Sequence, residues 1–206
     1  MQHFHLLRLA LVPMPLSSPI SRRALKHSRA IQIDAFARDD GLWDIDAHIS
    51  DVKTRDVQLA SGMRPSGTPI HDMFLRVTID TEFEIVAVDA ASDQVPYPGY
   101  CDTIVPAYSK LIGLNLVKGF RKALQANLGD VLGCTHLSQL ALLLPTVAIQ
   151  AFAGEVFDPH QDTKFASEQG KPFQLDHCHA LRTDGAAVAK YYPSWAITPA
   201  TLSECD

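Results

Sequence analysis

The sequence predicts an α+β domain: an antiparallel sheet of two hairpins, about four strands, covered on one face by three helices. Three observations predict it. Apolar and polar residues alternate with a period of two through residues 31–50 and again through 71–88. After Ser92 the apolar spacing becomes that of amphipathic helices. Strands therefore precede helices, the order of an α+β fold and not of alternating βα units.

Taken in order, residues 1–28 hold prolines and a basic patch, Arg22-Arg23 to Lys26, and read as a flexible N-terminal tail. A single α+β domain is expected over 29–206. The opening MQHFHLLRLALVPMPL has the look of a secretion signal, but its apolar stretch is short and its only early base is Arg8. No small-x-small cleavage site follows, so the expectation is a non-cleaved tail. Ile31, Ile33 and Ala35 alternate with Gln32 and Asp34, Asp39-Asp40-Gly41 is a turn signal, and residues 42–50 alternate again. Together they predict a hairpin. Residues 62–69 read as loop. Within HDMFLRVTID (71–80), Phe74, Arg76 and Thr78 share one face and Met73, Leu75, Val77 and Ile79 the other. Thr81-Glu82 turns the polypeptide into residues 83–88 and closes a second hairpin.

Helices follow over 104–111 and 119–128, the latter with Phe120, Leu124 and Leu128 on one face and a stop at Gly129. Cys134-Thr135-His136-Leu137 opens the most apolar segment, which contains Pro145, implying a kink, and stops at Gly154. This helix should lie against the sheet through Leu140, Leu144, Val147 and Ala151. Residues 155–172 are polar and loop-like. A strand–turn–strand reading around Thr183-Asp184-Gly185 accounts for 175–195.

Composition bounds the function. The protein has 206 residues, 47% hydrophobic and 20% charged, which excludes a disordered polypeptide, a coiled coil or a disulfide scaffold. Lys+Arg 18 against Asp+Glu 23 gives a net charge of -5, with no basic footprint for nucleic acid. The longest apolar stretch, Leu137 to Ala153, is interrupted by Ser138, Gln139, Pro145, Thr146 and Gln150 and is expected to fall short of the roughly 18 residues of a membrane span. Four cysteines without a secretion signal suggest reduced thiols and a cytoplasmic protein; Cys205 reads as an incidental free thiol.

The nine histidines and four cysteines carry the chemical signal. His48 lies in a strand, His71 opens another, Cys101 sits in the turn YPGYCD, and Cys134 and His136 begin the apolar helix. Strand starts, turns and helix starts gather at one end of such a fold. Thiolate plus imidazole suits zinc or iron, so His71, Cys101, Cys134 and His136 are candidate ligands of one transition metal, with His48 beside them. Each has an ordinary alternative. His48 shares a face with Asp46 and Ser50 and can be structural. His71-Asp72 can serve a turn. Cys101 and Cys178 can be buried small residues. His160 and His177 read as solvated. Cys134-x-His136 is the sharpest pair, because a helix N-terminus lowers a thiol's pKa and leaves N–H groups free. His48, Asp51, Lys53, Asp72 and Tyr100 are the candidate acid–base groups. Tyr97, Tyr100, Tyr108, Trp43, Phe74 and Trp195 could line an apolar pocket. No C-x-x-C, H-E-x-x-H, G-x-S-x-G or Gly-rich phosphate loop occurs.

The phrases RDDGLWDIDAHISDVK, PIHDMFLRVTID, GCTHLSQL and LDHCHALRTDG resemble the bacterial family of domain of unknown function 2889, over about residues 28–195. The resemblance implies a setting in bacteria that degrade aromatic compounds and no defined activity. The order of strands and helices also resembles iron–sulfur scaffold proteins of the NifU N-terminal type. Carried over, that resemblance places ligands at His71, Cys101 and Cys134. The first ligand cysteine of that pattern has no counterpart here, with Pro69 standing near its place. The turn also lacks the glycine-rich form. What remains is a mixed His/Cys site suited to one zinc or iron.

These readings lead to an expected function: a metal-dependent lyase or hydrolase acting on a small, lignin-derived aromatic molecule, by non-oxidative cleavage of a carbon–carbon bond in its side chain. The alternative is a metal or iron–sulfur carrier without catalysis; a third reading is a binding domain without metal. The expected partner is a small-molecule substrate, with no nucleic acid and no membrane. A homodimer is compatible with the sequence.

Overall fold

A computed structural model describes residues 16–158 and 170–197. Four strands, β1 (His27–Ala37), β2 (Trp43–Lys53), β5 (Pro69–Ile79) and β6 (Ile85–Gln94), form one antiparallel sheet in the order β1-β2-β5-β6. A small hairpin, β3 (Val57–Leu59) and β4 (Gly62–Arg64), is inserted between β2 and β5. The expectation of loop over 62–69 is corrected there: the Gly62–Arg64 segment pairs with Val57–Leu59.

The two long turns are built by aspartates. Asp40 Oδ1 accepts the Leu42 N–H at 3.2 Å, beside Gly41 at φ 83. Asp80 Oδ1 accepts the N–H groups of Glu82 and Glu84 at 2.8 and 2.9 Å. Both use a short side chain to replace a backbone partner, which is why aspartate suits these positions.

Alternation then divides the sheet. Ile45, Ala47, Ile49, Met73, Leu75, Val77, Ile79 and Ile85 are buried on one face. On that face lie a 3₁₀ helix (Asp102–Leu111), α1 (Phe120–Leu128) and α2 (Thr135–Phe152). The α+β expectation of a four-stranded sheet with three helical segments therefore holds. The 3₁₀ helix begins two residues before the expected 104. The buried stripe of α2 is Leu137, Leu140, Ala141, Leu144, Ala148 and Phe152; Val147 and Ala151 flank it and are only half-buried. By length and mean hydropathy α2 would suffice to cross a membrane, despite its polar interruptions. A core helix meets the same test, and this one packs on β1, β2 and β5.

Residues 175–195 do not form the expected strands. The Asp176 carboxylate takes the Thr183 N–H at 2.8 Å and its hydroxyl at 3.2 Å, which closes 176–183 as a loop. The following Ala186–Tyr191 (AAVAKY) is α3, and Pro193–Trp195 is a 3₁₀ turn. The turn at Thr183-Asp184-Gly185 is present, with the Gly185 N–H donating to the Arg182 carbonyl at 2.9 Å, but helix-forming alanines follow it in place of a strand. His160 and Cys205 lie outside the described residues.

Leu144 is fully buried beneath the sheet-facing side of α2. Leu144→Ala is expected to cost roughly 2–5 kcal/mol in denaturant unfolding.

Candidate metal centre

One end of the covered sheet face is not apolar. The register sets Arg29 of β1 opposite Asp51 of β2, and Asp51 opposite His71 of β5. All three share the inward parity of Ile31, Ile49 and Met73. Asp51 is 3% exposed, a carboxylate at a position where β2 otherwise places Ile45, Ala47 and Ile49.

A buried carboxylate requires partners. Arg29 supplies a two-pronged contact, Nε to Oδ1 at 2.8 Å and Nη2 to Oδ2 at 2.7 Å. His27 Nε2 stands 2.9 Å from Oδ1. Arg29 Nη1 also donates to Gln139 Oε1 at 2.8 Å, tying β1 to α2.

Two imidazoles approach from the other side. His71 Nδ1 lies 3.2 Å and His136 Nε2 3.4 Å from Asp51 Oδ2. Their rings stack with centroids 3.8 Å apart. His71 Nδ1 is buried and out of line for a hydrogen bond, leaving it without a partner. His136 is placed by the start of α2, which Tyr108 holds. The Tyr108 hydroxyl accepts the Cys134 N–H at 3.0 Å and lies 2.9 Å from the Cys134 carbonyl and 2.8 Å from Ser138 Oγ.

The electrostatics set the protonation states of the three groups. Burial works to raise the Asp51 pKa, but the Arg29 hydrogen bonds and charge, with His27 and His71, outweigh it and bring it down to about 2. Burial lowers the pKa of His71, against the pull of Asp51. Burial also lowers His136, helped by the neighbouring His71 and Arg29. The result is one ionised carboxylate beside two imidazoles biased to the neutral form, the state in which imidazole binds metal. Asp51, His71 and His136 each offer one ligand atom, all within 4.8 Å of one another. Two nitrogens and one carboxylate oxygen suit zinc or iron, and the unpartnered His71 Nδ1 is an atom such an ion would satisfy. The residues fit a metal.

The predicted residues divide. His71 and His136 meet as expected, and Asp51 joins them as a third donor atom, not only as an acid–base group. Cys134 does not join the group: its Sγ is 3.9 Å from Met73 Sδ. Cys101 is half-buried against the core and is not in the group either. His48 and Asp72 lie on the opposite face of the sheet, 2.6 Å apart, because their parity in β2 and β5 is opposite to that of Asp51 and His71. Lys53 ends β2, opposite His27. Tyr100 is 81% exposed. The aromatic residues do not line one pocket. Trp43 packs on Phe152 at 5.1 Å, Tyr108 is buried, and Phe74 faces outward. His27, Arg29 and Gln139 were not among the expected site residues. The signal for Arg29 and Asp51 was their inward parity in amphipathic strands; Gln139 lies one helical turn beyond His136.

The sequence model of one family, a protein of unknown function (DUF2889), matches residues 27–150. The chain belongs to this family. The DUF2889 match runs from the first residue of β1 to near the end of α2, and so contains His27, Arg29, Asp51, His71, His136 and Gln139. The phrase LDHCHALRTDG and α3 lie beyond it. No curated protein and no solved structure matches this sequence.

The shifted groups make acid stability predictable in metal-free protein. The unfolded polypeptide protonates its histidines near pH 6.5, whereas buried His71 and His136 resist; native stability therefore falls as pH drops through and below that value. Asp51, ionised down to about pH 2 in the native state against 3.8 when free, adds stability present above 3.8 and lost as pH falls from there toward 2. That contribution is on the order of 2 kcal/mol. In urea unfolding across pH, His71→Ala should flatten the first decline. Asp51→Asn should start less stable at neutral pH and converge on the parent at the acid end.

Proposed function

We propose that this DUF2889 protein binds one zinc or iron ion through Asp51 Oδ2, His71 Nδ1 and His136 Nε2 and is a metal-dependent lyase or hydrolase. The observation that carries the reading is the convergence of two neutral imidazole nitrogens and an ionised carboxylate on a shared position, one of the nitrogens buried without a partner. A metal held by three protein ligands keeps an open position, where it polarises a carbonyl or phenolic oxygen or acidifies water.

The protein's own residues supply the rest. Arg29 fixes Asp51 by its fork: Oδ1 takes Arg29 Nε and His27, and Oδ2 takes Arg29 Nη2 while facing the two imidazoles. Ligating carboxylates are commonly held in this way by outer partners. The His27 side chain is 38% exposed and is oriented by Asp51, as a histidine that takes up a proton at the rim would be. Arg29 stands beside it and favours a substrate with an anionic or phenolic oxygen. On α2, His136, Gln139 and Leu143 follow at i, i+3 and i+7, one face of the helix; Leu143 is part-exposed there and offers apolar surface beside the charged rim. A small aromatic molecule with a polar head matches both. Non-oxidative cleavage of a carbon–carbon bond in the substrate's side chain is the reaction we assign, since it needs a polarised oxygen and a base and no redox partner. The carrier alternative would use cysteines, which this group does not contain.

Untagged protein should hold one zinc or iron per protein molecule by elemental analysis, without labile sulfide. Stripping the metal should lower stability, by about 2.7 kcal/mol where the free ion had been at 100 times its Kd. His136→Ala should lose the metal while unfolding like the metal-stripped parent. Full metal retention in that variant would remove His136 from the site, and iron with labile sulfide would favour the carrier.

A further inference from the structure

The outer face of the sheet is uncovered among the described residues, and the register sorts its side chains into rows. Gln32, His48, Phe74 and Ala91 form one; Asp34, Asp46, Arg76 and Asp89 form the next. A cleft of about 340 Å³ runs along these rows. The rings of His48 and Phe74 stack with centroids 4.3 Å apart and planes 2° from parallel, and Asp72 Oδ1 holds His48 Nε2 at 2.6 Å.

The stack leaves one ring face open. His48 and Phe74 oppose each other on neighbouring strands, so their planes stand across the interstrand direction. The second face of Phe74 is therefore turned to β6, where the register places Ala91. A methyl group covers little of it, and Phe74 is 36% exposed. The adjoining row is charged. Arg76 is held by Asp46, Nε to Oδ1 and Nη2 to Oδ2, both at 2.6 Å. Among the described residues Asp34 receives only the neutral Gln32 amide, at 2.8 Å. Asp89 accepts no side-chain hydrogen bond among the described residues and faces the cleft from the open edge strand.

We propose that this cleft is a binding site for a small arylalkylamine, an aromatic ring carrying a protonated alkylamino group. The flat ring stacks on the free face of Phe74 over Ala91, and the protonated amino group pairs with Asp89. Three carboxylates against one guanidinium select a cation, and the open ring face selects an aromatic one. An aromatic carboxylate meets like charge, and an aliphatic amine lacks the stack. The site stands on the opposite face from Asp51 and does not depend on the metal.

The test titrates 2-phenylethylamine into the full-length protein, followed by calorimetry and amide chemical shifts. Saturable binding of one amine per protein molecule is expected, with shifts centred on residues 89–91 and weakening as salt is raised. Phe74→Ala and Asp89→Asn should each weaken it by at least about tenfold. Ala91→Leu, which fills the slot and keeps both the ring and the charges, should abolish it. All three side chains face solvent, and thermal unfolding checks that each variant is folded. 3-Phenylpropionate should not bind. An absence of saturable amine binding by the parent, or amine binding unchanged by Ala91→Leu, overturns the proposal.

Discussion

The pairing of Asp51 with Arg29 is the constraint on which the organisation of this site depends. A carboxylate with almost no solvent contact stays ionised only if the fold brings it a cation and further donors. Arg29 comes from the edge strand, and its third nitrogen reaches Gln139 on α2. One guanidinium thus joins β1, β2 and the helix at a single point. His71 arrives on β5 by register and His136 on the first turn of α2, whose start is fixed by the Tyr108 hydroxyl. The charged end of the sheet fixes where the helix must sit, and the apolar rows beyond it supply the energy that holds it there.

The same alternation that builds the core separates two chemistries. In β2, His48 and Asp51 are three residues apart and so face opposite sides. In β5, His71 and Asp72 are adjacent and do the same. One set meets under α2 with low water access; the other stands in solvent beside Phe74 and a row of aspartates. Neighbours in sequence are thereby assigned to different surfaces.

This parity explains what could be read from the sequence. The hairpins 31–50 and 71–88 were legible because Ile31, Ile45, Ile49, Leu75 and Val77 repeat every second residue. His71 and His136 were legible as ligands because both begin elements. The cysteines misled: Cys134 also begins a helix, but an N-cap side chain can turn to the core, and here it meets Met73. Gathering His48 with His71 ignored the strand period that had identified the strands. Arg29 was hidden because its role is set across strands, by a register that depends on the turn at Asp39-Asp40-Gly41. The 175–195 segment was misread for a local reason: one aspartate, Asp176, reaching Thr183 decides it, and no periodicity announces such a contact.

The placement of Arg29 bears on how a metal would be held. A divalent ion beside a guanidinium meets like charge, which a shared carboxylate can screen only if each oxygen is committed to one side. Here Oδ1 already takes Arg29 Nε and His27, whereas the two imidazoles converge on Oδ2. Arg29 Nη2 is the one donor that would compete with the ion for Oδ2, and Gln139 draws the guanidinium toward α2 through Nη1. A fork loosened at Nη2 and kept at Nε would leave Asp51 oriented and its second oxygen free. The arginine would then fix the ligand's direction while limiting the ion's affinity.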